Sequence, residues 1–385
     1  MSARTALLGP LALLAALTGC TRVARVDLQR QTGGNAFLFH QFQAYDGHSG
    51  RPLDFAAVVR RCRQADVILF GERHNDVICN QLEAQLLYGL LADRRPLALA
   101  MEFFEADQQA ALDAYLTGRI DEADFIEQAR RRRSYYLSHR PLIELCRAAR
   151  VPVIAANAPR RLVRAFRRSG AEYGDFRADL TAEQRQWLPP DYVYLEGEYR
   201  ARFAAAMGAD ATATAPASQP GASAATQPAG APASAPSGPP HNLDWREFYK
   251  AQLLWDEAMS DAIVVYRQRH PASRVMLIVG GFHVEFAGGT MQKLRRRRPH
   301  DRIVTLTYRT DPDGQFAFDP NDQGAADVVF YGVNPPEPEE HREPASQPAS
   351  QPVASQPAAS QPGHSSDSRP AARRPPRLPG RPRPS

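Results

Sequence analysis

Glu72 and His74 stand two residues apart in Gly71-Glu72-Arg73-His74-Asn75. In an extended backbone that spacing turns a carboxylate and an imidazole to the same side. Such a pair can move a proton, ligate a metal ion or orient a base. The pentapeptide follows the apolar run Val67 to Phe70 and precedes a segment with helical spacing. It therefore stands at the carboxyl end of a strand, where open α/β sheets present chemistry. Gly71 suits a turn that needs unusual backbone angles or close approach, and Asn75 or Asp76 can cap the helix that follows. A capped turn with a polar rim would use the same residues, so recurrence carries the argument. Leu97 to Met101 runs into Glu102, Val151 to Ala156 into Asn157, and Val275 to Val279 into Gly280-Gly281-Phe282-His283. Parallel strands put such ends along one edge. Glu72, His74, Glu102, Asn157 and His283 are thus expected to converge in one crevice. Two histidines and two glutamates there could hold a divalent metal and leave a carboxylate as general base, the chemistry of a metal-dependent hydrolase with Glu72, His74, Glu102 and His283 as its catalytic set. No His-Glu-x-x-His helix and no serine nucleophile elbow is present.

The elements that must position these residues alternate. Apolar strand candidates are Phe37–Tyr45, Asp66–Phe70, Leu97–Met101, Val151–Ala156, Arg274–Val279, Arg302–Thr307 and Val328–Tyr331. Helical spacing marks Leu53–Gln64, Val77–Asp93, Asp107–Tyr115, Glu122–Arg131, Pro141–Arg150, Arg160–Arg168 and Trp245–Arg269. Short continuous apolar strands between helices predict an α/β fold: a central, mainly parallel sheet with helices on both faces and a helical insertion subdomain.

The chain has 385 residues and a formal net charge of +5. Residues 1–19 read as a lipoprotein signal peptide. The apolar stretch from Ala6 to Leu17 is too short for a membrane-spanning helix, and Leu17-Thr18-Gly19-Cys20 resembles a bacterial lipobox, with lipid attached to Cys20. An anchored protein of the cell envelope follows, and Thr21 rather than aspartate after the cysteine favours the outer membrane. Export argues against nucleic acid as a partner despite the basic charge. Residues 20–36 form a tether. The α/β domain is expected over 37–333 and contains an Ala/Pro-rich insertion at about 209–240. Residues 334–385 form a Pro/Ala/Ser/Gln-rich tail. Insertion and tail lack the apolar surface that offsets chain entropy, and both are expected to be disordered. Cys62, Cys79 and Cys146 lie among apolar residues and read as buried thiols.

Taken together, Gly71-Glu72-Arg73-His74-Asn75, Glu102 with Asp107-Gln108-Gln109, Asp113-Ala114-Tyr115-Leu116, Arg140-Pro141, Ala156-Asn157-Ala158-Pro159-Arg160 and Gly281-Phe282-His283-Val284 resemble, in order, the ChaN-like haem-binding uptake family of the Tiki and erythromycin esterase-like superfamily. The resemblance covers roughly Arg51 to Tyr308. It implies haem binding and a role in iron uptake, with haem as ligand, an outer-membrane haem receptor and a homodimer as the partners to look for. Family members often carry His-His where this chain has Cys79-Asn80, and Tyr-Arg-Pro where it has His139-Arg140-Pro141. The family's iron ligand is a tyrosine; here Tyr135, Tyr136 and His139 are the candidates, since tyrosine and histidine both serve haem iron. The implied haem-binding set is His74, Tyr135, Tyr136, His139, Asn157, Arg160 and His283. The run Arg130–Arg133 supplies cations for the two propionates. A hydrolase of the superfamily, or a lipoprotein that keeps the fold without a ligand, remain the alternatives.

Overall fold

The protein is described by a computed structural model covering residues 41–131, 133–209 and 244–333, with no side-chain description at 133 and 134. The leader with Cys20, the tether, the insertion beyond Ala209 and the tail lie outside the described residues. All described residues belong to one compact unit.

Eight strands form one sheet: β1 (Phe42–Asp46), β2 (Pro52–Leu53), β3 (Val67–Glu72), β4 (Leu97–Glu105), β5 (Val153–Asn157), β6 (Arg274–Gly280), β7 (Ile303–Thr310) and β8 (Val328–Gly332). The order across it is β2-β1-β8-β7-β3-β6-β4-β5. From β8 to β5 every pairing is parallel; β1 pairs antiparallel with β8 and β2. The sheet is therefore mainly parallel, as the uninterrupted apolar runs predict. The two-residue β2 has no signature in the sequence, because its pairing to Ala44 and Tyr45 is set by the turn that joins them.

Helices α1 (Phe55–Arg63), α2 (Val77–Leu91) and α6 (Arg140–Ala149) cover one face, where Val58, Leu86 and Cys146 share a core with Ile68 and Phe70. Helices α11 (Trp245–Arg269) and α12 (Gly289–Arg297) cover the other, where Met259, Ile263 and Leu294 pack on Val67, Leu69 and Leu277. Alternate residues of β3 thus enter opposite cores. Each fully buried Leu, Ile or Phe contributes roughly 1.5–3 kcal/mol relative to exposure.

Between β4 and β5 stands the helical insertion: α3 (Gln109–Leu116), α4 (Glu122–Gln128), α5 (Arg133–Leu137) and α6. Stacking of Tyr115 on Phe125, with centroids 4.6 Å apart, knits α3 to α4. Gln109 reaches back to the edge strand: its amide donates to the Val153 carbonyl at 2.9 Å and accepts from the Ala155 N–H at 2.7 Å. A second helical excursion, α7 (Arg160–Ser169), α8 (Tyr173–Ala178), α9 (Ala182–Gln186) and α10 (Glu198–Ala206), fills the path from β5 to α11. Cys62, Cys79 and Cys146 are free and buried. Among the described residues no helix is long and apolar enough to cross a membrane.

Candidate functional site

The four strands whose ends carry the polar residues are neighbours in the sheet, in the order β3-β6-β4-β5. Their carboxyl ends open onto a cavity of about 470 Å³, lined by His74, Glu102, Asn157 and His283, with Glu72 buried behind His74. That volume falls in the range of small-molecule and cofactor sites, about 300–1,000 Å³.

Local geometry explains the placement. Gly71 is needed for close approach, not for its backbone angle: a Cβ there would stand 2.9 Å from the Gly281 Cα. The left-handed residue of the turn is Asn75, at φ 62°. Asp76 caps α2, accepting from the Cys79 N–H at 3.0 Å. Glu102 is fixed by the Gly280 N–H, which donates to its Oε2 at 2.7 Å.

Two carboxylate–histidine pairs face each other across Glu102. On β3, Glu72 Oε1 lies 2.6 Å from His74 Nδ1, and Glu72 Oε2 lies 3.3 Å from His139 Nε2. Burial alone would raise the Glu72 pKa, but the hydrogen bonds from His139 and His74 hold it well below the usual range. Burial would lower the His74 pKa; the Glu72 hydrogen bond and the charges of Glu72 and Glu102 outweigh it and raise it. On the other side, His283 Nδ1 meets Asp256 Oδ1 at 2.7 Å, and its Nε2 lies 3.8 Å from Glu102 Oε1. Burial again opposes protonation, and Asp256 and Glu102 again reverse it, so the His283 pKa is raised. The fully buried Asp256 also accepts from the hydroxyls of Tyr199, at 2.8 Å, and Thr290, at 2.7 Å.

The loop from β6 to α12 is strained to hold this arrangement. Phe286 and Ala287 take φ values of 50° and 52°, and a Cβ on Gly288 would stand 2.5 Å from the His283 carbonyl oxygen.

The insertion residues end up elsewhere. His139 approaches the site from behind, stacked on Phe103 with centroids 3.8 Å apart, and does not line the cavity. Tyr135 is wholly buried against Phe125, its hydroxyl without a partner, and burial raises its pKa. Tyr136 is 49 % exposed and lies outside the cavity lining. Arg130 does not reach the cavity either, because it pairs with Asp107 at 2.9 Å; Arg131 lies over the Phe104 ring and donates to the Phe103 carbonyl. The cations at the mouth are instead Arg160, Arg164 and Arg167 of α7.

Sequence reasoning named Arg160 but missed Arg164, Arg167, Asp256 and the apolar wall of Phe203, Phe248, Trp255 and Phe282. Asp256 left one trace: an acid at the core-facing spacing of α11, in line with Gln252, Met259 and Ile263.

Residues 58–294 match the family described as haem-binding uptake, Tiki superfamily, ChaN. The chain belongs to this family. Its fold is similar to that of a structure described as cofacial heme binding to ChaN of Campylobacter jejuni, at 14% identity and a TM-score of 0.50, covering 75% of this chain and 96% of that one. More distant likenesses are the type III effector HopBA1, at 11% identity and a TM-score of 0.38 over 73% of this chain and 94% of that one, and a mutant of the erythromycin esterase EreC in its open conformation, at 12% and 0.37 over 75% and 82%. At these identities the likeness speaks for the fold alone. A comparison with curated proteins gives no match.

Proposed function

We propose that this ChaN-family chain binds haem in the cavity at the sheet edge and handles haem or iron at a bacterial membrane, anchored by lipid on Cys20 with the outer membrane as its site. Membership of a haem-binding uptake family is the observation that carries the reading.

The residues present suit the group. His74 keeps its Nδ1 on Glu72, the arrangement that orients a ligating imidazole and leaves Nε2 for the iron. The floor is built around a residue with no side chain: a Cβ on Gly280 would press on His74 Cε1 at 3.3 Å and touch a Glu102 oxygen at 3.5 Å. Aromatic side chains of Phe203, Phe248, Trp255 and Phe282 supply apolar walls. Bound haem supplies a coordinated iron with a strong visible absorbance. His74 must lose its proton to ligate, and its pKa is raised, so binding strengthens as pH rises through that pKa.

The test is haemin titration of the purified full chain at pH 6 and pH 8. A Soret shift that is stronger at pH 8, is lost in His74→Ala and persists in Tyr136→Phe is expected. No shift in the wild type removes haem from the account; loss in Tyr136→Phe with retention in His74→Ala moves the site to the exposed tyrosine. Cys20→Ala is expected to release the protein from membranes or block its processing, and unchanged fractionation and processing rejects the anchor.

A second reading, hydrolysis, is favoured by one observation: the two carboxylate-backed histidines flanking Glu102. One imidazole could then take a proton from water while the other gives one to a leaving group. Among the described residues no three His, Cys, Asp or Glu side chains stand where they could share a metal ion, so the residues do not fit the divalent metal expected for this alternative. Ester turnover that disappears in His283→Ala and needs no haem would establish it.

A further inference from the structure

We propose that Arg164 and Arg167 form a clamp for the two carboxylates of a flat, apolar ligand lying in the cavity. The inference rests on the haem reading, in which those carboxylates are the propionates.

Three arginines of α7 line the mouth, but they are not equivalent. Arg160 is already matched: its guanidinium lies 3.7 Å from Glu105, and its backbone N–H donates to the same carboxylate at 3.2 Å. Arg161, on the adjoining face, is also matched, by Asp107 at 3.3 Å and by the Trp187 ring beneath it. Arg164 and Arg167 have no carboxylate partner among the described residues. They stand three residues apart on one helix, so their guanidinium groups are neighbours on one face. The Arg167 guanidinium lies over the Phe248 ring, 4.5 Å from its centroid, which holds it against the cavity wall.

Two guanidinium groups without a carboxylate partner suit two anionic groups, and in the haem reading these are the two propionates. The ligand body must be different in kind. Phe203, Phe248, Trp255 and Phe282 present aromatic rings, which favour a flat apolar partner. A free sugar has no such surface, and a nucleotide, whose base is flat, carries its charge on one phosphate chain rather than on two separate carboxylates. A porphyrin with its acid groups on one side has both properties.

The test uses the full chain and three probes: iron-free protoporphyrin IX, its dimethyl ester, and haemin. Fluorescence titration should show the diacid binding at least tenfold tighter than the diester, and tighter at low than at high salt. In Arg164→Ala/Arg167→Gln the diacid should lose about tenfold, roughly 1.4 kcal/mol, while the diester is unchanged. Both side chains sit at the mouth and carry no ion pair, so the variant should keep its unfolding midpoint, which is checked by circular dichroism. Equal affinity for diacid and diester, no change in the double variant, or no diacid binding overturns the clamp. Because protoporphyrin lacks iron, this outcome is independent of the axial ligand. A diacid that binds through the arginines while haemin gives no Soret shift would sink the haem reading and leave the clamp standing.

Discussion

Replacing Glu83 by glutamine should stabilise the protein at neutral pH, although the side chain is fully buried beside the site. Glu83 lies on α2, and the Cys79 thiol donates to its Oε1 at 3.7 Å. Its Oε2 accepts from no donor among the described residues. Burial, then repulsion from the Glu72 carboxylate, pushes its pKa well above the usual range. Two carboxylates in contact cannot both be charged, so Glu83 keeps its proton and donates toward Glu72. An unfolded glutamate titrates near pKa 4.3. Because the folded pKa is raised, this group's contribution is complete below about pH 4.3 and is lost as pH rises toward the folded pKa, at about 1.4 kcal/mol per pH unit. At pH 7 the loss is up to about 3.7 kcal/mol. Glutamine has nearly the same shape, no charge to suppress, an oxygen for Cys79 and an N–H for Glu72. Glu83→Gln should therefore raise the unfolding free energy at pH 7 by about 1–3 kcal/mol, with the gain shrinking toward zero near pH 4.3. Urea unfolding of both proteins at pH 5, 6, 7 and 8 measures the difference directly, since the raised histidine pKa values affect both alike. A variant less stable than wild type at pH 7, or a difference independent of pH, would refute a protonated Glu83.

Asp256→Ala should cost about 3–5 kcal/mol in urea unfolding, because it strands the Tyr199 and Thr290 hydroxyls and His283 Nδ1 in the interior; a loss below about 1 kcal/mol would show that these groups find other partners. Ala287→Gly should stabilise by about 0.5–1 kcal/mol, since the exposed Ala287 holds a φ of 52° that glycine adopts without penalty, and a lower melting midpoint would contradict the strain.

The part of the site carried by strand ends was legible in the sequence. Apolar runs ending in Glu72, Glu102, Asn157 and His283 fix both the sheet type and the edge on which those residues lie, and consecutive strands then bring Glu102, Asn157 and His283 to one cavity, with Glu72 buried behind its His74 wall. The outer wall was not legible, for a physical reason. Phe203, Phe248 and Trp255 come from α10 and α11, and only the packing of α11 on α7 and of α10 on α11 turns their rings toward the strand ends. The short helices α8 and α9 give too few turns to show periodicity. Arg130–Arg133 looked like a haem contact because clustered charge in a sequence carries no sign of its partners; Asp107 occupies Arg130. His139 is placed by long-range packing: its stacking on Phe103 depends on the insertion folding back against β4.

The Gln109 amide on β5 bears on how copies of this chain can meet. A free edge strand offers its N–H and C=O groups to any other strand, which is a route to strand addition and aggregation. Here the Val153 carbonyl and the Ala155 N–H are already taken by a side chain that imitates a neighbouring strand. The opposite end of the sheet is closed by a strand of only two residues. Among the described residues, helices and loops rather than the sheet edges are the surfaces left open for a second copy.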